Sequence, residues 1–244
     1  MSMFNVIFDV GANDGVDGLG YALFNQNLKV YAFEANPDLV NKINENKKKI
    51  EKFTKIQLDN YTIINKAVSN FNGTSNFYLS EYDLCSSLLK YKFVKIKKEI
   101  SCEVISLKSF CDDIKVNNII YLHSDTQGSD LNVLKGLKEY KNKVHAGVIE
   151  TMIKKEDINY EGASSFDEFE NFFNENNFII TKKKFNDYQN KEVNVYFKNK
   201  SISKKDFISK NDFNRRFIQR IINKKSNLKD KIFMYYLKVF RFKN

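Results

Sequence analysis

Short apolar runs alternate with longer amphipathic stretches along most of the chain. The first apolar run, Asn5–Val10, is followed by an amphipathic stretch, Gly15–Asn25. A second apolar run, Lys29–Ala35, precedes the amphipathic stretch Asp38–Phe53. Short apolar runs between turn signals predict buried strands, and apolar residues spaced 3.6 positions apart predict helices. Pro37 comes directly before the second helix, a position that its fixed backbone angle favours.

The same alternation continues to about residue 200. Asn72 and Gly73 mark a turn, and Ser165 with Glu168 forms a capping box that predicts a helix through Asn174. The other predicted strands are Thr62–Val68, Ser75–Leu79, Glu99–Ile105, Asn118–Ser124, Val144–Ile149, Phe178–Lys183 and Val193–Lys198, and the other predicted helices are Leu107–Ile114 and Ser129–Glu139. Because the last two strands form a hairpin, we predict an α/β fold whose mostly parallel sheet contains one reversed strand.

The C-terminal segment differs from the rest in charge. The net charge of the chain is +10, and residues 201–244 account for all of it, with 13 basic and three acidic residues. We therefore predict two parts, a domain at 1–200 and a basic tail at 201–244. A neutral domain does not have the basic surface of a nucleic-acid enzyme, so we expect no nucleic-acid partner.

Two apolar stripes in the tail predict basic amphipathic helices. The first consists of Phe213, Phe217 and Ile221, and the second of Leu228, Ile232, Tyr236, Val239 and Phe240. Such helices can bind an anionic membrane surface or an acidic partner. They can also pack against the domain, or pair in a homo-oligomer, and the sequence leaves these alternatives open.

The apolar runs and the cysteines bear on localisation. No apolar run reaches the roughly 18 residues of a membrane-spanning helix, and the first strand begins too early to leave room for a signal peptide. Cys85, Cys102 and Cys111 form no C-x-x-C pair and fit reduced thiols. We expect a cytoplasmic protein, with a peripheral position at the inner membrane surface as an option.

The segment Asn5–Gly15 ends in a turn that contains an unusual amount of negative charge. Asp9 closes the strand, and Asp14 lies in the following G-A-N-D-G turn. Two carboxylates would repel a pyrophosphate but suit S-adenosylmethionine, which has an ammonium and a sulfonium group. Glu34 ends the next strand 23 residues after Gly11, where an acid can accept both ribose hydroxyls. The turn thus predicts S-adenosylmethionine as the ligand.

Candidate catalytic residues follow the later strands, whose carboxyl ends meet at the ligand-binding edge of such a sheet. Asp125 and Glu150 each follow an apolar run. His123 lies two residues before Asp125, so both are expected on one face. An alkyl hydroxyl needs a base when it attacks, and a histidine beside a carboxylate can accept a proton near neutral pH. Glu150 could bind the acceptor. No dense ligand motif is present, so we expect no metal.

Several segments together resemble the FkbM-type S-adenosylmethionine-dependent methyltransferases. They are F-D-V-G-A-N-D-G at 8–15, Y-A-F-E-A-N-P at 31–37, N-K-A-V-S at 65–69, S-D-T-Q-G-S-D-L-N-V-L-K-G at 124–136, V-I-E at 148–150 and Y-E-G at 160–162. The resemblance covers about residues 4–200. It implies a class I methyltransferase (Rossmann-like) fold with a seven-stranded sheet, and O-methyl transfer mainly to hydroxyls of sugars or polyketides.

The resemblance also implies a role for individual residues. The donor site would consist of Asp9, Gly11, Asn13 and Gly15 at the methionine part, Glu34 at the ribose, Asn65, Lys66 and Ala67 beside the adenine, and Asp125, Gln127 and Gly128 at the methyl-transfer site, and Asp14 and Ala35 are also expected to contact the donor. Ala35 stands where the family usually has proline, and His123 stands where it usually has lysine.

These observations predict an O-methyltransferase that acts on a sugar hydroxyl in the biosynthesis of a surface polysaccharide or another glycan. Its partners would be S-adenosylmethionine and a small-molecule or glycan acceptor. Two alternatives remain open: an N-methyltransferase that acts on an amine, and a non-catalytic protein that binds the donor and serves as a scaffold.

Overall fold

The architecture is a twisted seven-stranded sheet with helices on both faces and a smaller sheet at one side. A computed structural model describes residues 4–186, 188–189, 191–202, 211–227 and 229–230. The strands of the large sheet are β1 (Phe4–Val10), β2 (Lys29–Phe33), β3 (Tyr61–Ile64), β7 (Val116–Ser124), β8 (Val144–Met152), β9 (Phe178–Phe185) and β10 (Glu192–Asn199). Their order is β3-β2-β1-β7-β8-β10-β9.

Five strands run parallel, and β10 is antiparallel to both of its neighbours, β8 and β9. The predicted α/β class, mostly parallel sheet and C-terminal hairpin are therefore confirmed. Strand order reverses between β1 and β7, because β2 and β3 lie on one side of β1 and the later strands lie on the other. In open α/β sheets, such a reversal creates the crevice in which ligands bind.

Six named α-helices lie within the residues that the structure describes. They are α1 (Val16–Phe24), α2 (Pro37–Thr54), α3 (Leu107–Ile114), α4 (Asp130–Lys135), α5 (Phe166–Glu175) and α6 (Asn211–Ile222). The side chain of Asn36 caps α2 by accepting a hydrogen bond from Asp38 N–H, and Pro37 occupies the first helical position. The predicted capping box at the start of α5 is also confirmed.

Two predicted element boundaries are wrong. The sequence predicts a single strand at Thr62–Val68, but the chain leaves the large sheet after β3 and enters the small one at β4 (Ala67–Ser69). The small sheet also contains β5 (Gly73–Ser80) and β6 (Ile96–Ser106), in the order β4-β6-β5. The helix predicted to extend to Glu139 ends with α4, and the chain continues as a 3₁₀ turn at Lys138–Lys143.

Alternating strand residues supply the cores on the two faces of the large sheet. Phe8 packs with Phe33 and Phe110 on one face, and its neighbour Ile7 belongs to the core on the opposite face. This alternation fixes which strand residues face each helical layer, and it leaves the carboxyl ends of the strands open for a ligand.

Helix α6 packs on the second of these faces, against α1 and α2. Phe217 is fully buried, with its ring centroid 6.0 Å from Phe24 and 6.5 Å from Phe53, and Ile218 and Ile221 are buried beside it. The first helix of the tail thus adds to the core of the domain. The second predicted stripe lies outside the described residues, and the division at residue 200 stays a prediction. Within the part of the chain that the structure describes, no helix is long and apolar enough to span a membrane.

Candidate active site

A cavity of about 580 Å³ opens at the carboxyl ends of the parallel strands. Its floor depends on a close approach between two loops. Gly11 has a φ of +75°, and a Cβ atom at this position would lie 1.9 Å from the carbonyl oxygen of Asp125. Only a glycine can therefore bring the turn after β1 against the loop after β7. The turn is also tied to β2, because the N–H groups of Gly11 and Ala12 both donate to the carbonyl of Phe33.

Glu34 lies at the end of β2 and is nearly buried, with 6% of its surface exposed. Its two carboxylate oxygens accept the backbone N–H groups of Asn13, at 2.8 Å, and Asn36, at 2.9 Å. Burial raises the pKa of Glu34 to about 7, and these backbone hydrogen bonds oppose that rise. Each oxygen retains a second lone pair, so the carboxylate can still accept hydroxyls from the cavity.

The region beside Glu34 forms an apolar slot in the cavity wall. Ala35, Lys66 and Ala67 line it, as the resemblance implies, and Lys66 is held by Glu103 at 2.6 Å. The sequence did not indicate that three apolar side chains complete this wall, namely Leu39 of α2, Phe77 of β5 and Leu88. Phe77 belongs to the small sheet. It reaches the cavity wall because the chain leaves the large sheet after β3 and forms this separate small sheet.

Asp9 and His123 form a pair at the base of the cavity, and His123 is the one of the two that lines it. They are register partners on β1 and β7, and His123 Nδ1 lies 2.6 Å from Asp9 Oδ1. The sequence predicts Asp125 as the carboxylate beside His123, and this prediction of the partner is wrong. The strand ends at Ser124, so cross-strand register gives the imidazole a partner in Asp9. Asp9 itself is fully buried and is not among the residues that line the cavity.

This pairing changes the charge expected on His123. Burial alone would lower the pKa of the imidazole, but the hydrogen bond and charge of Asp9, with Asp17 and Asp125 nearby, raise it to about 9. At neutral pH the ring is therefore an imidazolium. A protonated ring has no free lone pair, so His123 in this state cannot accept a proton from an acceptor hydroxyl.

Asp125 and Glu150 are brought together by the side chain of Gln127. Its amide nitrogen donates to Asp125 Oδ1 at 2.8 Å and to Glu150 Oε2 at 2.9 Å. The Tyr160 hydroxyl donates to the amide oxygen at 2.8 Å and fixes the orientation of the amide. Gln127 has a left-handed backbone with a φ of 55°, which turns its side chain back toward the two acids. The three predicted residues Asp125, Gln127 and Glu150 thus form one unit on the cavity wall.

Glu150 is the most perturbed carboxyl group of this unit. Burial, together with the negative charges of Asp125 and Glu192, raises its pKa well above the usual value. Asn186 donates to its second oxygen at 2.6 Å. Glu192 also lines the cavity, and it comes from the reversed strand β10. A raised pKa makes the Glu150 carboxylate, once it has lost its proton, a stronger base than an ordinary carboxylate.

The remaining predicted residues divide between the cavity wall and its support. Asn13 and Asp14 line the cavity. Gly15 does not; it forms the N-cap of α1 with a φ of 78°. The structure adds Asp17, Arg215 and Gln219 to the wall. Arg215 and Gln219 come from α6, and their spacing of four residues on an amphipathic helix is the one sequence signal that could have indicated them.

The cavity suits an adenosyl ligand that is cationic. Glu34 offers hydroxyl acceptors beside an apolar slot, and five further carboxylates line the cavity, which is the opposite of a pyrophosphate site. Among the described residues, no group of three His, Cys, Asp or Glu side chains is arranged to hold a metal ion.

A model of the methyltransferase FkbM domain matches residues 9–180. The chain belongs to the FkbM methyltransferase family. The methyl donor of this family is S-adenosylmethionine, and the cavity residues fit it. Of the residues that line the cavity, Glu192, Arg215 and Gln219 lie beyond the matched segment.

The chain is similar to two named methyltransferases. The 2-O-methyltransferase NoeI of Sinorhizobium fredii is 28% identical over 152 residues, which are 57% of this chain and 59% of that protein. The crystal structure of methyltransferase FkbM from Methylobacillus flagellatus is similar with a TM-score of 0.54 and 14% identity, over 80% of this chain and 43% of that one. The chain therefore spans only part of the length of each relative, and the second likeness concerns the fold alone.

Proposed function

We propose that this protein transfers the methyl group of S-adenosylmethionine to a sugar hydroxyl. The observation that supports the proposal best is the unit of Asp125, Gln127 and Glu150, which presents two bridged carboxylates on the cavity wall. Carboxylates accept hydrogen bonds from hydroxyls, and the raised pKa of Glu150 makes it, when ionised, a stronger proton acceptor than an ordinary carboxylate. The similarity to NoeI, whose name specifies O-methylation, points in the same direction.

In this proposal, Glu150 is the general base. The acceptor hydroxyl donates to the Glu150 carboxylate, and its proton moves to that carboxylate as the oxygen attacks. Asp125 and Glu192 increase the basicity of Glu150 by their negative charge. Gln127 holds Asp125 and Glu150 at a fixed separation, and Tyr160 holds Gln127. His123 has a structural role here, because it is already protonated at neutral pH.

The rest of the cavity aligns the donor. When bound, S-adenosylmethionine supplies a methyl group on a positively charged sulfonium. Glu34 accepts the ribose hydroxyls, and the slot formed by Ala35, Ala67 and Phe77 encloses the adenine. With the adenosyl end fixed there, the methyl group faces the part of the wall that Asp125 and Glu150 line. In-line alignment of donor and nucleophile accounts for much of the rate in such transfers.

The acceptor in this proposal is a sugar of a surface polysaccharide or of its biosynthetic precursor. Support comes from the number of hydrogen-bonding side chains at the Asp125 end of the cavity, because a sugar presents several hydroxyls at once. Docking of the tail on a membrane surface or an acidic partner stays a prediction, since half of the tail lies outside the described residues.

The test uses the purified full chain, S-adenosylmethionine with a labelled methyl group, and a panel of surface glycans and their precursors. We expect a labelled methyl ether by mass spectrometry, and a loss of turnover of about 10²-fold or more in Glu150→Gln. Glu156→Gln serves as a control, because Glu156 is an exposed carboxylate outside the cavity. A methylamine product would instead support N-methylation. Donor binding without turnover on any acceptor would support the scaffold alternative.

Binding of the donor is measured separately by calorimetry with S-adenosylhomocysteine. Glu34→Ala should weaken this binding, because the ribose hydroxyls lose their acceptor. If the wild-type chain did not bind S-adenosylhomocysteine, or if Glu34→Ala bound it equally well, the assignment of the donor site would be wrong.

A further inference from the structure

Helix α6 contributes a cation to the cavity. Arg215 and Gln219 both line it, although they lie beyond residues 9–180, which match the family model. The guanidinium of Arg215 forms an ion pair with Asp17 in the first turn of α1. Its side chain is about half exposed, at 52%, so it is held in place by Asp17 but remains accessible to a ligand.

Arg215 lies near the place that the amino-acid end of the donor would occupy. Glu34 and the apolar slot hold the adenosyl end, and the transferred methyl has to face Asp125 and Glu150. The amino-acid end of the donor then lies along the turn after β1, toward the start of α1. Backbone N–H groups in the first turn of a helix favour an anion. Asp17, the partner of Arg215, lies in that first turn.

The amino-acid end of S-adenosylmethionine has a carboxylate, which favours a cationic partner in a cavity whose charged lining residues are mostly acids. Three cationic side chains line the cavity among the described residues: Lys66, His123 and Arg215. Lys66 is bound to Glu103 at the adenine end. His123 is bound to the buried Asp9. Arg215 has five N–H donors and can bind a ligand while it stays paired with Asp17.

We propose that Arg215 binds the carboxylate of the methyl donor, so that the C-terminal helix forms part of the donor site. This inference rests on the proposed methyltransferase function. It assigns to α6 a direct contact with the donor, in addition to its packing against α1 and α2.

The test compares two adenosyl ligands by calorimetry on the full chain. S-adenosylhomocysteine has the amino-acid end, and 5′-methylthioadenosine lacks it. A charge-assisted hydrogen bond is worth enough to change affinity by about tenfold or more. We expect Arg215→Ala to weaken binding of S-adenosylhomocysteine by that factor and to leave binding of 5′-methylthioadenosine within about twofold. Arg216→Ala removes the same charge from the exposed neighbouring position and should change neither.

The outcomes separate this inference from the function on which it rests. If the wild-type chain binds S-adenosylhomocysteine and Arg215→Ala binds it equally well, the inference fails and the proposed function stands. An equal loss for both ligands would also overturn the inference, because it would indicate a general disturbance of the site. A change in the acceptor KM with unchanged donor affinity would assign Arg215 to the acceptor and overturn it as well. Absence of binding to the wild-type chain would overturn the function itself.

Discussion

Asp9 and His123 form a buried ion pair across the two central strands, with Oδ1 and Nδ1 2.6 Å apart. Asp9 Oδ2 has no hydrogen-bond partner among the described residues, so the imidazolium is the group that compensates the buried charge. Breaking such a pair leaves an uncompensated charge in the interior. We therefore infer that protonation of His123 stabilises the floor of the cavity.

This pair predicts a specific pH dependence of stability. The pKa of His123 is raised from 6.5 to about 9 in the folded chain. Its contribution is therefore complete below about pH 6.5 and is lost as the pH rises through about 9. A shift of this size corresponds to roughly 3 kcal/mol. We expect the difference in free energy of unfolding between wild type and His123→Gln, measured with urea, to shrink by that order between pH 6 and pH 10. A difference that is equal at both pH values would contradict the pairing.

The acidic residues at the strand ends could be predicted from the sequence, because each of them ends or follows an apolar run that can be recognised locally. Asp9, Glu34, Asp125 and Glu150 each end or follow an apolar run, and parallel strands place such residues at one edge of the sheet. The pairing of His123 depended instead on the register between β1 and β7, which are more than 100 residues apart in the chain. Nothing in the local sequence specifies that register, so local patterns pair His123 with the wrong carboxylate.

The other differences have a similar origin. Residues 62–68 contain no glycine or proline that would interrupt a strand, yet Asn65 donates to the carbonyls of Glu34 and Ala35 and the chain changes sheets there. The position of Arg215 followed from how α6 packs on α1 and α2, a contact between elements that are distant in the chain. Tertiary packing thus decided those parts of the site that local patterns left open.

Gly18 in α1 is predicted to be required for the position of Asp9. A Cβ atom at Gly18 would lie 2.4 Å from Asp9 Oδ2 and 2.9 Å from a ring carbon of Tyr61. Alanine usually stabilises a helix interior by about 1 kcal/mol relative to glycine. Here we expect Gly18→Ala to destabilise the fold by about 1–3 kcal/mol, because the added methyl overpacks a filled site. Thermal and urea unfolding measure the change, and a stabilised variant would show that the space beside Asp9 is larger than the structure indicates.

The packing of α6 predicts that the tail contributes to stability. Phe217 is fully buried between α1 and α2, near Phe24 and Phe53. Removing a buried phenylalanine side chain costs about 3–5 kcal/mol. We expect Phe217→Ala to lower the free energy of unfolding by that amount, and the exposed Arg216→Ala on the same helix to change it by less than about 0.5 kcal/mol. Equal stabilities of Phe217→Ala and wild type would mean that α6 does not pack on the domain in solution.

The proximity of Asp125 and Glu150 predicts how the pH profile of methyl transfer changes on mutation. If Glu150 is the base, kcat/KM rises with pH as Glu150 loses its proton, and this rising part of the profile is its acidic limb. Because the pKa of Glu150 is raised, the limb lies at higher pH than it would for an ordinary carboxyl group. Asp125 is one cause of that raised pKa, so Asp125→Asn should move the limb to lower pH, even where it also lowers the maximal rate. Glu192→Gln should move it in the same direction, since Glu192 is the next negative charge. Glu156→Gln, in an exposed carboxylate outside the cavity, should leave the limb unchanged. A limb that stays in place in Asp125→Asn, or that persists in Glu150→Gln, would mean that another group accepts the proton.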